Sequence, residues 1–283
     1  LLLSFKKIHF QSKTCTKETG ESLVFEEERK QKIIRLVQSK SRTSIQELCR
    51  LLQVSESTIR RDLTDLENKK LLKRTHGGAI DLRSVNFEPS YYEKEDQFTG
   101  EKEAMAKKAA ELIEDGDSLL IDSGTSTSCL ALELSKFSNL TVVTNSIPLM
   151  QKLSGMDGIE IIATGGTLRK NTMAFTGPLS DSILDNLRVD KAFLGTNGLD
   201  VKSGLTTPNV VEAATKRKMI SAANQTYILA DHSKIGRVSF AKFAALEQID
   251  GCITSDIITP EQKQDLESHN IKLYIAATGI QGR

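Results

Sequence analysis

The sequence predicts an α/β protein in two parts, a small helical front and a larger body built on a parallel sheet. Three observations predict it. Between Phe25 and Leu82 lie three amphipathic helical patterns, followed by two extended runs about a Gly-Gly pair. From Glu101 onward, seven short apolar runs alternate with helical stretches: "SLLID", "LTVVT", "IEIIAT", "KAFLG", "TYILAD", "GCITS" and "IKLYIAA". Most of these runs are near-continuous in aliphatic residues, as strands of a parallel sheet covered on both faces are. A chain of 283 residues has room for two domains. The expected boundaries are 25–82 for the front, 83–100 for a linker and 101–283 for the body.

Composition narrows the class. With 39% hydrophobic and 27% charged residues, this is an ordinary soluble globular chain. The net charge of +1 is unevenly spread. Residues 25–82 hold 13 Lys/Arg against 9 Asp/Glu, whereas residues 101–283 and the linker together are net acidic. A basic front on an acidic body fits a front that meets a phosphate backbone. The absence of Trp argues against stacking platforms for single-stranded nucleic acid. Cys15, Cys49, Cys129 and Cys252 lie far apart with no Cys-x-x-Cys, which argues against a zinc site or a disulfide framework and for a reducing, cytoplasmic setting. His9, His76, His232 and His269 are scattered without ligand spacing, so no metal and no cofactor are expected. No apolar run approaches the roughly 18 residues that a membrane span needs. Residues 1–24 show neither helical nor strand period, and we expect an extension there, disordered or outside the native chain, ahead of a fold that starts near Val24.

The first helix is expected over about Glu26 to Lys40, with Ile33, Leu36 and Val37 on one face. The second opens on "SIQE", Ser44 to Glu47, a capping-box pattern. Its Ile45, Leu48, Cys49 and Leu52 form one apolar stripe at i, i+3, i+4 and i+7. After the tight turn "QVS", Ser55 is a natural N-cap for a third helix that turns Ile59, Leu63 and Leu66 inward. At about 100° per residue, Ser57, Arg61 and Thr64 point away from that stripe, with Thr58 and Arg60 beside it. Next comes "LLKRTHGGAIDL", read as a two-stranded ribbon about Gly77-Gly78 that carries Lys73, Arg74 and His76. Three helices followed by a basic ribbon make a winged helix-turn-helix, whose second motif helix lies in the major groove. For Arg60 and Arg61 the alternative is a solvated helix face with ion pairs such as Arg61 to Asp65.

The stretch "SESTIRRDLTDLENKKLLKRTHGGAI" resembles the DNA-binding domain of the DeoR family of bacterial transcriptional regulators. Ser55, Thr58, Ile59, Arg60, Arg61, Asp62 and Leu63 meet that family's signature, and "KRTHGGA" matches its wing. The positions expected to meet DNA are Ser55, Ser57, Thr58, Arg60, Arg61, Thr64, Lys73, Arg74, His76 and Gly77.

In the body, five strand ends are polar or glycine-rich. The first delivers Asp122-Ser-Gly124-Thr125-Ser126-Thr127, the second Thr144-Asn145, the third Gly165-Gly166 with Arg169 or Lys170 beyond it to add charge. The fourth delivers Gly195-Thr-Asn197-Gly198 and the fifth Asp231 to Lys234. Open parallel sheets bind ligands at their carboxyl strand ends. The loop at Gly124 is neither a Walker A nor a Gly-x-Gly-x-x-Gly loop, which disfavours ATP and dinucleotides and leaves a small phosphorylated molecule. Glu212 and Lys216, at i and i+4, read either as a surface ion pair or as part of the pocket rim.

This half also resembles the DeoR family over its whole length. The family's sensor domain is similar in fold to sugar-phosphate isomerases, which implies a phosphorylated sugar as effector. The resemblance carries to the Asp122-x-Gly124-Thr125 loop, Thr144-Asn145, Gly165-Gly166, Gly195, Asn197-Gly198, Glu212, Lys216, Asp231 and Lys234. "FLGTNGLDVKSGLTTPN" and "VSFAKFAAL" look most like the fructose-operon repressors of the family, which makes fructose 1-phosphate the first guess. The expected function is repression of a sugar-utilisation operon by a homo-oligomer on double-stranded operator DNA, without catalysis. The alternative is a sugar-phosphate isomerase with a DNA-binding appendage, with Asp122, Glu212 or Asp231 as its base.

Overall fold

The computed structural model describes residues 26–40, 42–69, 71–75, 77–81 and 88–279. The expected extension at 1–24 and His76 lie outside them. The chain divides into two compact units, Leu1–Leu82 and Arg83–Arg283.

In the first unit α1 (Glu26–Lys40) leads through β1 (Arg42–Ser44) into α2 (Ile45–Leu52) and α3 (Glu56–Asn68), and then into β2 (Lys73–Thr75) and β3 (Gly78–Ile80). The expected caps form. Ser44 accepts from the Glu47 amide at 3.1 Å, and Ser55 from the Thr58 amide at 3.3 Å. The Glu47 side chain pairs with Lys40 of α1. Ile33, Val37, Leu48, Ile59, Leu63 and Leu66 meet in one core. Under it lies a buried ion pair, Arg29 with Asp62, at 2.6 and 3.2 Å.

The wing departs from the expected two-stranded ribbon. It is a three-stranded antiparallel sheet in the order β1-β3-β2, with Thr43 opposite Ala79. Three residues are too few to show a period, so β1 left no trace in the sequence pattern. Its approach explains Gly78: a Cβ there would sit 2.0 Å from the Thr43 carbonyl oxygen.

The second unit begins earlier than expected. Residues 83–100 read as a linker, yet 88–100 are folded onto the body. Ser90 and Glu93 form a reciprocal capping box for α4 (Tyr91–Glu95), the buried Tyr91 donates its amide to the Asn171 carbonyl at 2.7 Å, and α5 (Thr99–Ala110) starts ahead of Glu101. A helix of five residues has less than two turns in which to show an apolar stripe.

The body then runs β4 (Ser118–Ile121), α6 (Thr125–Ser128), α7 (Leu130–Leu134), β5 (Leu140–Thr144), α8 (Ile147–Leu153), β6 (Ile159–Ala163), β7 (Thr167–Arg169), β8 (Ala174–Thr176), α9 (Pro178–Asp185) and β9 (Val189–Gly195). It continues through β10 (Gly198–Asp200), β11 (Gly204–Thr207), α10 (Val210–Ser221), β12 (Ala223–Leu229), β13 (Ala241–Ala244), β14 (Gly251–Ser255), α11 (Pro260–Ser268) and β15 (Leu273–Ala276). The seven expected strands form one parallel sheet in the order β15-β14-β12-β9-β4-β5-β6. Side chains alternate across it. Leu119, Ile121, Phe193 and Tyr227 join one core with α5, α7 and α8, whereas Leu120, Ala192, Leu194 and Ile228 join the other with α10 and α11. Two small antiparallel pairings, β7-β8 and β10-β11-β13, sit outside this sheet.

The strand order positions the site. From β4 the chain steps outward to β5 and β6, then returns to β9 on the other side of β4 and steps outward again. The order reverses between β4 and β9. At such a switch point the two following loops diverge and leave a crevice beyond the carboxyl ends.

Candidate functional site

That crevice is a cleft of about 640 Å³, solvent at its mouth included. Asp122, Gly124, Thr125, Ser126, Gly195, Asn197, Glu212, Lys216, Asp231 and Lys234 all line it, as do Ser123, Thr172 and Thr196. Five separate segments of sequence therefore converge on one place.

Asp122 organises the floor. Its side chain is buried and accepts from the Gly124 amide at 3.0 Å, Thr127 Oγ1 at 2.7 Å and the Gly195 amide at 2.9 Å. The Lys216 ammonium pairs with it and donates to the Gly195 carbonyl at 2.8 Å. Burial works to raise the Asp122 carboxyl, but Lys216 and these hydrogen bonds outweigh it and hold it below the usual carboxylate range. Gly124 is needed because a Cβ would come within 2.9 Å of Thr127 Oγ1.

The remaining acids are also engaged. Glu212 accepts from Thr172 Oγ1 at 2.6 Å and pairs with Arg169 at 2.6 Å. Asp231 caps the turn at His232–Lys234 through the Ser233 amide and lies 3.5 Å from Lys234 Nζ.

Seven expected positions face elsewhere. Thr127 is turned under the loop onto Asp122. Thr144 donates to the Ile121 carbonyl at 2.6 Å, and Asn145 Nδ2 to the Phe175 carbonyl at 2.9 Å. Gly165 and Gly166 make the left-handed turn into β7, Gly198 passes too close to the Arg237 carbonyl for any side chain, and Arg169 stands behind Glu212. These residues shape the strand ends rather than line the cleft. Sequence reasoning missed Lys94, Gln97, Phe98 and Lys102, which line the cleft from the supposed linker and from α5. The Ser90-x-x-Glu93 capping pattern was the signal that the segment is folded.

In the first unit, Ser57, Arg60 and Arg61 are exposed on α3. Arg60 pairs with Glu56 at 2.5 Å. The expected alternative partner of Arg61, Asp65, is taken by Lys30 and Lys69, and Arg61 makes no ion pair among the described residues. Arg74 Nη1 donates to Thr64 Oγ1 at 2.6 Å, locking the wing to α3, while Arg60, Lys73 and Arg74 line one groove between them. Ser55 is spent on capping, with Thr58 half-buried beside it. The Gly77 carbonyl accepts from the Ile45 amide at 2.8 Å, which ties the wing's turn to α2.

Among the described residues no helix is long and apolar enough to cross a membrane, and no cluster of His, Cys, Asp and Glu could hold a metal ion.

Two family models match. A DeoR-like helix-turn-helix domain covers residues 29–85, and a DeoR C terminal sensor domain covers residues 97–256. The HTH-type transcriptional regulator GlpR of Haloferax volcanii is 41% identical over 86% of this chain and 95% of its own length. The uncharacterized HTH-type transcriptional regulator FruR of Bacillus subtilis is 41% identical over 77% of this chain and 87% of its own. The lactose phosphotransferase system repressor of Staphylococcus epidermidis is 36% identical over 86% and 96%. A ribose 5-phosphate isomerase of Methanocaldococcus jannaschii overlaps 47% of this chain and 52% of its own at 18% identity with a TM-score of 0.34, a likeness too slight to bear on function. Matched in both units, and along nearly the whole length of several regulators, the chain belongs to the DeoR family of DNA-binding transcriptional regulators.

Proposed function

We propose that this regulator represses a sugar-utilisation operon and that a phosphorylated sugar, fructose 1-phosphate first among the candidates, binds the cleft at the β4–β9 switch point. The observation that carries this reading is the charge of the cleft: Lys216, Lys234 and Arg169 pair with its three carboxylates, Asp122, Asp231 and Glu212, which leaves Lys94 and Lys102 as the excess. A small anion with hydroxyls fits such a lining, with the phosphate toward the lysines and the sugar toward Asn197 and Glu212. Relatives named FruR and lactose phosphotransferase system repressor support the sugar assignment. Against the isomerase alternative stand the relatives matched along nearly their whole length, which are named as transcriptional regulators or repressors.

α3 reads the major groove through Ser57, Arg60 and Arg61, while Lys73, Arg74 and His76 contact the phosphate backbone. One such unit covers few base pairs, so specific control takes two or more copies on repeated half-sites. Leu179 on α9 and Val210 on α10 are exposed apolar side chains of the body that a second copy would cover. The setting is the cytoplasm.

Fluorescence anisotropy on DNA from upstream of the gene tests the reading. Release by fructose 1-phosphate, but not by fructose or inorganic phosphate, is the expected result. DNA binding unchanged across a panel of sugar phosphates would overturn the effector assignment.

A further inference from the structure

Two of the cleft's lysines come from the connector rather than from the sheet. Lys94 lies on α4 and Lys102 on α5, in the stretch that follows the first unit in the chain. Neither has a carboxylate partner among the described residues. Lys102 donates to the carbonyls of Lys94 and Glu95, the latter at 3.2 Å, and the Lys94 ammonium makes no hydrogen bond or ion pair there. Burial pushes both ammonium groups below the usual lysine range. Glu212 and Glu88 act on Lys94, and Asp231 on Lys102, only from beyond ion-pair distance, and two neighbouring cations without a direct partner in a partly dry cleft gain from an anion that joins them.

Glu212 reaches the same connector. Glu212 lines the cleft and holds Arg169 at 2.6 Å. Behind it, Arg169 grips Glu88 through two bonds of 2.8 and 3.0 Å, and Asn171 Nδ2 adds a third at 3.0 Å. The connector is thus held to the cleft twice, by Lys94 in its lining and by Glu88 through Arg169 to Glu212. Between Lys94 and α5, Phe98 takes a left-handed backbone (φ 53°) and sets its ring edge-on to His232, which carries this wall across to the Asp231–Lys234 turn.

We propose that Lys94, backed by Lys102, is the counter-charge for the effector's phosphate, so that the connector to the DNA-reading unit is itself one wall of the effector site. The inference rests on the sugar-phosphate reading of the cleft. A dianionic phosphate ester compensates both lysines at once and draws the connector onto the ligand. A neutral sugar leaves them as they are and gives the connector nothing to close on. Occupancy is in this way felt first by the segment that leads to the DNA reader, and the differential affinity that any ligand-driven shift requires is placed there.

Calorimetric titration of the full chain with fructose 1-phosphate, fructose 6-phosphate, glucose 6-phosphate, inorganic phosphate and fructose tests this. Wild type should bind at least one ester, Lys94→Met should weaken it by about tenfold or more, and Lys94→Arg should keep it within about threefold. Hydrogen exchange in peptides covering 88–102 should slow with the bound ester and not with fructose. Unfolding midpoints without ligand check that the variants fold, and Lys94→Gln carries the same expectation if the Met variant does not. Ester binding by Lys94→Met within about twofold of wild type overturns this inference alone. Failure of wild type to bind any ester overturns the sugar-phosphate reading and this inference with it.

Discussion

Lys216 and Asp122 are 94 residues apart, one on α10 and the other at the end of β4, and their side chains meet at the floor of the cleft. The pair also fastens β9, because Lys216 donates to the Gly195 carbonyl while Asp122 accepts from the Gly195 amide. Loop, sheet and helix are thereby held at one point. Lys216→Met leaves a buried carboxylate without its cation and should destabilise the body by about 3–5 kcal/mol, read as a lowered unfolding midpoint.

The same pair sets an acid limit. A carboxyl held below its ordinary value contributes stability that is present above the unfolded-state value and lost as pH falls through the folded one. Thermal midpoints taken from about pH 6 down to about pH 3 should therefore fall more steeply for wild type than for Asp122→Asn, which has no such proton to take up. Parallel slopes would show that Asp122 is not a principal acid-sensitive group.

Asp62 of the family signature supports the fold of the first unit. It is fully buried against Arg29, and Asp62→Ala should cost about 3–5 kcal/mol by stranding that arginine. Urea unfolding followed by helical signal should show the loss, and DNA binding should fail in proportion to the unfolded fraction. A folded Asp62→Ala protein that binds DNA poorly would instead give Asp62 a role at the interface.

Arg61 and Lys73 should separate sequence reading from backbone contact. Arg61→Ala should weaken the specific site by about 1–3 kcal/mol and leave non-specific binding nearly as it was. Lys73→Ala should weaken all sequences alike and reduce the slope of log affinity against log salt by about one. Anisotropy titrations at several salt concentrations, on operator and scrambled DNA, distinguish the two patterns.

Gln53 closes α2 with a left-handed backbone, φ 54° and ψ 42°. A residue with a Cβ is disfavoured there by about 1 kcal/mol, so Gln53→Gly should raise the stability of the first unit by up to about that amount. Chemical unfolding of the two proteins side by side is the measurement, and a loss of stability would mean that the glutamine side chain makes contacts worth more than the strain.

Much of this molecule is legible in its residues. The helix-turn-helix follows from signals a few positions apart, the Ser44 and Ser55 caps and the stripes of α2 and α3, because helices are built from local contacts. The seven sheet strands are legible because the inner ones are covered on both faces over most of their length, which writes an unbroken run such as Leu119 to Ile121 into the chain. Their polar ends point to the edge of the sheet where a ligand belongs. The sequence by itself determined the class, the two units and the strand ends at which the cleft opens.

Only the tertiary structure decided which polar residues face the cleft. Thr127 and Thr144 have the composition of ligand residues, yet they hold neighbouring backbone, since Gly, Thr and Asn serve tight turns and ligand contacts equally well. Short elements such as β1 and α4 are formed by what they pack against. Pairings such as Arg29 with Asp62 or Lys216 with Asp122 join residues far apart in the chain, and their energy depends on burial, which no local pattern encodes. Lys94 is the sharpest case: in sequence it is one charge in a polar stretch, and folding sets it in the lining of a cleft without a direct ion-pair partner among the described residues.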